Sequence, residues 1–207
     1  MALSVFLDAL YDCPVVASVK DEAGLERALA SQCRVVFLLF GSVLNIAALV
    51  ARVKGAGKLA LVHLDLVEGL AQRDVSVDFL ARDTRADGVI TTRPQLARHA
   101  KGLGLISLQR FFLLDSMAVE NMRKTLEQDG CDLIEVLPGA MPKVLRGLTA
   151  SIRKPVIAGG LICDKEDVTG ALAAGAVAVS STSEDVWFCR APPLHASPCC
   201  PRRGAVR

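Results

Sequence analysis

Aromatic residues are scarce in this 207-residue chain, at 4%, with one Trp and one Tyr. A surface that stacks nucleic-acid bases on several exposed rings is therefore not visible in it. No uninterrupted apolar run approaches the roughly 20 residues that cross a bilayer, so the mean hydropathy of +0.39 points to buried strands and no membrane partner is expected. The opening "MALSVFLDALYDCPVV" has no basic leader, carries Asp8 and Asp12 inside its apolar stretch and shows no small-residue cleavage pattern, which argues against secretion. Of the seven Cys, Cys13, Cys33, Cys131 and Cys163 lie apart, without the CxxC spacing of a metal site. They read as reduced, mostly buried thiols of a cytoplasmic protein, and neither a metal nor a cofactor is expected. Cys199 and Cys200 sit together near the end of the chain and acquire no role from their spacing.

What the chain has in quantity is apolar residues, 52% of the total, enough for one sizeable core and short of two. A single domain is expected over residues 1–189. The remainder, "RAPPLHASPCCPRRGAVR" (190–207), is rich in Pro and small residues, lacks any helical or strand period, and reads as a disordered tail. It holds four Arg and no acidic residue, so the net charge of +2 becomes −2 over residues 1–189.

Short apolar runs alternate with amphipathic stretches along the whole domain. The strand-like runs are 15–19, 35–40, 59–66, 88–92, 105–112, 132–138, 155–159 and 176–181. Seven helix-like stretches separate them, several ending in Gly, and the last opens on Asp164, a competent N-cap. Eight near-equal units of this kind predict a compact α/β fold, a (β/α)8 TIM-type barrel. After the eighth strand "STSEDVWF" leaves room for a turn or two, so the final outer helix is expected to be truncated. A doubly wound open sheet is the alternative, made weaker by the absence of a second-domain insert.

In "PVIAGGLI" the seventh strand gives up its side chains at Gly159 and Gly160, and the eighth ends in Ser180, Ser181, Thr182 and Ser183. Barrels of this type commonly hold a phosphate between those two loops, on backbone N–H groups and a short helix N-terminus. The pair therefore reads as a phosphate cradle, against the alternative of a tight turn and a Ser cap. His63 and Asp65, two apart in "ALVHLDLVEGL", are predicted to share one strand face, with Glu68 just beyond it. That pair can bind ligand hydroxyls or move protons, or it can satisfy itself inside the barrel. Lys20, Arg110 and Glu135 also fall toward carboxyl ends of strands, and of the neighbours Gln109 and Arg110 only one can face inward. A basic cluster, Arg82, Arg85, Arg93, Arg98, Lys101 and Arg110, is opposed by only Asp83 and Asp87. It can contact nucleic-acid phosphates or can simply be solvated.

The segments "VVFLLFGSVLNIAALV", "LVHLDLVEGL", "DGVITT", "GLISLQRFFLLDS", "IEVLPGAMPKVL", "PVIAGGLI" and "AVAVSSTSEDVW" closely resemble the glycerol uptake operon antiterminator regulatory protein family, in order, from about Pro14 to Trp187. The resemblance implies a barrel that senses glycerol 3-phosphate as its regulatory ligand and, when loaded, binds leader mRNA of glycerol-utilisation genes so that transcription passes a terminator. No turnover is implied. Carried onto this chain, the ligand pocket would draw on His63, Asp65, Glu68, Arg110, Glu135, Gly159, Gly160, Ser180 and Ser181. The chain departs from the family after Cys189, where members normally end soon after the "DVWF" segment, and the extra Arg residues can add nonspecific RNA affinity. The reading leaves room for a homodimer. Its rival from another class is a sugar-phosphate isomerase or aldolase in the same pocket, with His63 and Asp65 or Glu135 as acid and base.

Overall fold

The eight strands close on themselves. In the computed structural model, which describes residues 2–189, they are β1 (Val15–Val19), β2 (Val35–Leu38), β3 (Leu59–His63), β4 (Gly88–Thr91), β5 (Ile106–Phe112), β6 (Leu133–Leu137), β7 (Val156–Gly159) and β8 (Ala178–Ser181). Each pairs in parallel with the next, and β1 pairs with β8 through Ala17 opposite Ser181, which closes the barrel and excludes the open sheet. The tail from residue 190, with Cys199 and Cys200, lies outside the described residues.

Alternation along each strand sorts its side chains into two apolar layers. Val16, Phe37, Leu61, Leu108, Leu133 and Ile157 point inward and fill the barrel. Their neighbours, such as Ala17, Val36, Val62 and Val179, point outward under the helices. The crossover helices are α2 (Glu22–Ala30), α3 (Ile46–Gly55), α4 (Asp74–Asp83), α5 (Pro94–Gly102), α6 (Ser116–Leu126), α7 (Pro142–Ser151) and α8 (Lys165–Ala173). The side chains of Asp21, Asp115 and Asp164 accept from Gly24, Ala118 and Asp167 backbone N–H groups and so fix the starts of α2, α6 and α8. The last helix, α9 (Glu184–Trp187), has a single turn, as expected. Among the described residues no helix is long and apolar enough to cross a membrane.

One element goes beyond the expectation. Residues Ala2–Asp12 form a helix, α1, in front of the first strand. Its Phe6, Ala9 and Leu10, spaced as one helical face, are buried against the inward residues at the amino-terminal end of the barrel. A barrel of short strands leaves that end open to water, and α1 stops it. Burying a Phe or Leu there contributes roughly 1.5–3 kcal/mol each.

Candidate functional site

At the opposite, carboxyl-terminal end the inward positions turn polar. Arg110 of β5 and Glu135 of β6 are register partners, and Arg110 Nε donates to Glu135 Oε2 at 2.6 Å. The other oxygen, Oε1, accepts from Ser180 Oγ of β8. Glu135 is 1% exposed, so a carboxylate out of water is held by a cation and a hydroxyl, as a buried charge must be. Arg110 Nη1 and Nη2 have no protein acceptor among the described residues, and Arg110 lines the adjoining cavity. Of Gln109 and Arg110, therefore, Arg110 is the inward residue. Gln109 is buried on the other face, and its Nε2 finds no partner.

Gly159 and Gly160 have different reasons to be glycine. A Cβ on Gly159 would stand 2.5 Å from Ser180 Oγ and 2.7 Å from Glu135 Oε1, so bare backbone there makes room for the carboxylate and its hydroxyl donor. Gly160 has φ +73°, a left-handed turn that Gly adopts without strain, and its carbonyl accepts from Gly139 N–H at 3.0 Å. Beyond it the loop to α8 runs past the end of β8. Ser181 Oγ donates to Ile162 carbonyl at 2.6 Å and accepts from Ser183 N–H at 2.9 Å, which ties the seventh and eighth loops together. Trp187 of α9 donates its indole N–H to Ser181 carbonyl at 2.7 Å and fastens the assembly from outside.

These groups surround a cavity of about 320 Å³. Of the residues expected at a site from sequence, Arg110, Glu135, Gly160, Ser180 and Ser181 line it, together with Thr182 and Ser183, while Gly159 stands behind Glu135 and Ser180. Ser18 of β1, Leu39 and the loop residues Leu161 to Cys163 also line it and were not singled out in the sequence. Ser18 was legible as the one polar residue in "VVASV", two places from Val16 and hence inward.

His63, Asp65, Glu68 and Lys20 lie outside this lining. The predicted shared face of His63 and Asp65 does not form, because β3 ends at His63 and the chain turns into a short 3-10 helix over Leu64–Leu66. Asp65 is thereby rotated toward the β4 to α5 loop, where it accepts from Thr91 Oγ1 at 2.8 Å and from Thr92 N–H and Oγ1 at 2.7 and 2.9 Å. His63 stays inside, 3% exposed, with Nδ1 unpartnered. Burial first, and then the Arg110 charge, push its pKa down to about 4, so the imidazole is neutral near pH 7. Glu68 is exposed, and its backbone bridges to Ser42. Lys20 is exposed at the end of β1.

Residues 15–187, which hold the whole barrel and its cavity, match the sequence model of the glycerol-3-phosphate responsive antiterminators. The chain belongs to this family. A family relative in Escherichia coli K12, called uncharacterized protein YgcP, is 43% identical over 181 residues, 87% of this chain and 95% of that protein. The crystal structure of the glycerol uptake operon antiterminator regulatory protein from Listeria monocytogenes is similar with a TM-score of 0.82 and 32% identity, covering 85% of this chain and 95% of that one. That of a glycerol uptake operon antiterminator-related protein from Thermotoga maritima gives 0.73 and 34%, covering 84% and 96%. Family members of solved structure thus share this barrel over nearly their full lengths.

Proposed function

We propose that this family member is a glycerol 3-phosphate-responsive transcription antiterminator of the cytoplasm. Loaded with the ligand, it binds leader mRNA of glycerol uptake and utilisation genes and lets transcription pass a terminator. The observation that carries the reading is the meeting, in one cavity, of an arginine with unpartnered Nη groups and the hydroxyl-rich, tightly turned ends of β7 and β8. A phosphate dianion is held by donors of both kinds, charge-assisted from Arg and neutral from hydroxyl and backbone. The three-carbon polyol then lies along the rest of the lining, where Ser18, Thr182 and Ser183 offer hydroxyl groups.

Binding without turnover agrees with how the titratable groups are engaged. An isomerase or aldolase needs an acid and a base poised at its substrate. Here the Glu135 carboxylate is taken up by Arg110 and Ser180, and Asp65 by two threonines, so neither stands ready beside His63. The described strands carry no lysine for a Schiff base. A ligand that prefers one arrangement of the β7 and β8 loops shifts the population toward it, and that difference is what RNA binding reads.

Titration calorimetry with glycerol 3-phosphate and with glycerol tests the cavity: heat from the phosphate ester alone is expected, and equal, feeble heats from both would remove the reading. Gel shifts of leader RNA with and without glycerol 3-phosphate test the response, and retardation is expected to depend on the ester.

A further inference from the structure

Between Glu135 and Asp164 the chain carries no acidic residue, yet it holds four cations, Lys143, Arg146, Arg153 and Lys154. Lys143 and Arg146 are exposed on α7 at a spacing of three, on one helical face, and Arg153 is exposed just past its end. Among the described residues the side chains of these three make no ion pair or hydrogen bond. Arg123 of α6 adds a fourth charge, reaching only Ser151 Oγ at 3.4 Å at the end of α7. Several cations elsewhere on the barrel are answered, Arg52 by Glu22 and Glu26, Lys54 by Asp87, Lys101 by Asp129, and Arg98 by Gln128. The exposed Arg82, Arg85 and Arg93 are also without side-chain partners among the described residues, but Asp78 and Asp83 stand in the chain beside them, whereas no acidic residue interrupts the α7 segment. The flanking carboxylates are largely engaged too, Asp129 by Lys154, Glu120 by Lys124, and Asp167 by Cys163 N–H, which leaves Glu127 and Glu166.

A second oddity lies on the same helix. Gly147 is in the middle of α7, and a Cβ built on it would meet nothing within 4 Å. Glycine disfavours a helix interior, and no packing contact asks for it here. Beside Arg146 it leaves a stretch of helix that a partner's backbone can approach closely.

From these two observations we infer that the outer face of α7, with Lys143, Arg146, Arg153 and Arg123 around the bare surface at Gly147, is where the phosphate backbone of RNA docks. The inference rests on the reading of this protein as an RNA-binding regulator and names the surface that does it. RNA carries a closely spaced row of negative charges, and unpaired cations along a helix of about 15 Å meet two or three of them. The face is also joined to the cavity. Gly139, just before α7, donates its N–H to Gly160 carbonyl, Pro142 packs against Gly170 of α8, and Thr149 Oγ1 donates to Ala174 carbonyl at 2.7 Å. A ligand that resets the loop at residues 160–163 therefore moves the support on which α7 rests.

The test uses the full chain saturated with glycerol 3-phosphate and labelled leader RNA, followed by anisotropy across a series of KCl concentrations. Reversing Lys143, Arg146 and Arg153 to Glu is expected to weaken binding at least about tenfold and to flatten the salt dependence by roughly two charges. An equal reversal of Arg82, Arg85 and Arg93, on the α4 and α5 side, is expected to cost much less, which separates a surface from mere net charge. Gly147→Leu keeps every charge and fills open space, and it is expected to weaken binding severalfold at all salt concentrations. Calorimetry with the ester should be unchanged in all three. If the wild-type protein binds RNA and the α7 variants bind as well as it does, or no worse than the Arg82 set, the surface is overturned while the regulator stands. If the wild-type protein binds no RNA with or without the ester, the underlying reading fails and takes the surface with it.

Discussion

Arg110 and Glu135 stand side by side on β5 and β6, joined by one 2.6 Å hydrogen bond, with the carboxylate sealed from water and the guanidinium reaching the cavity. Removing either partner strands the other's charge. Glu135→Ala is expected to cost about 3–5 kcal/mol in urea unfolding, and Arg110→Met with Glu135→Leu together to recover most of that loss. Both variants should lose the heat of glycerol 3-phosphate binding in calorimetry.

Gly159→Ala places a methyl group where the Ser180 hydroxyl and Glu135 carboxylate now pack. Overpacking of this kind costs about 1–3 kcal/mol, and a lowered melting temperature together with weaker ligand binding is expected. Ser180→Ala in the same background opens room on one side and should restore part of the melting temperature, though not the affinity.

His63 is held neutral by burial, with a folded pKa lowered to about 4 from an ordinary 6.5. The unfolded chain takes up that proton first, so stability is complete above about pH 6.5 and falls as the pH drops toward 4. A loss of roughly 3 kcal/mol across this window is expected from this one group. Urea unfolding at stepped pH measures it, and His63→Leu should flatten the slope. An imidazole that titrates near 6.5 in the folded protein by NMR contradicts the assignment.

Phe6 of α1 is fully buried at the amino-terminal mouth of the barrel. Truncation to Ala should destabilise the protein by about 3–5 kcal/mol while leaving ester affinity nearly intact, because the cavity lies at the other end.

The Cys13 thiol is held below its ordinary value, chiefly by the neighbouring Cys33 thiol, which is itself pushed up by the same neighbour and by burial. Alkylation near pH 7 should mark Cys13 faster than the buried Cys131, whose thiol burial raises to about 11. Peptide mapping after brief iodoacetamide treatment reads the order.

The barrel was legible because each parallel strand is buried on both sides and so stands out as an apolar run between polar helices, from "VVASV" to "AVAVSS". The cavity lining at Ser180, Ser181 and Gly160 was legible for a related reason, since glycine and serine interrupt the seventh and eighth runs only at their carboxyl ends. The role of Gly159 was not, because what it accommodates, Glu135, lies 24 positions earlier and two strand ends must meet before the two touch. Asp65 was misplaced because a period of two holds only while the strand continues, and β3 stops at His63. The basic cluster was only partly legible, because its members separate in space: Arg110 turns inward to Glu135, Lys101 meets Asp129 of the loop after α6 and Arg98 meets Gln128, while Arg82, Arg85 and Arg93 stay exposed. α1 was not legible although Leu3, Phe6, Leu7 and Leu10 recur at helical spacing, because nothing in so short a stretch says which surface covers that face.

Trp187 is the single indole in the chain, it is 1% exposed, and its ring nitrogen is tied to the carbonyl of Ser181. The protein thus contains its own optical gauge. A dry chromophore bonded to the last residue of the cavity-lining strand is expected to change its emission if the proposed ligand shifts that residue, and ultraviolet fluorescence of unlabelled material during a titration reads it without a dye whose bulk would disturb the barrel.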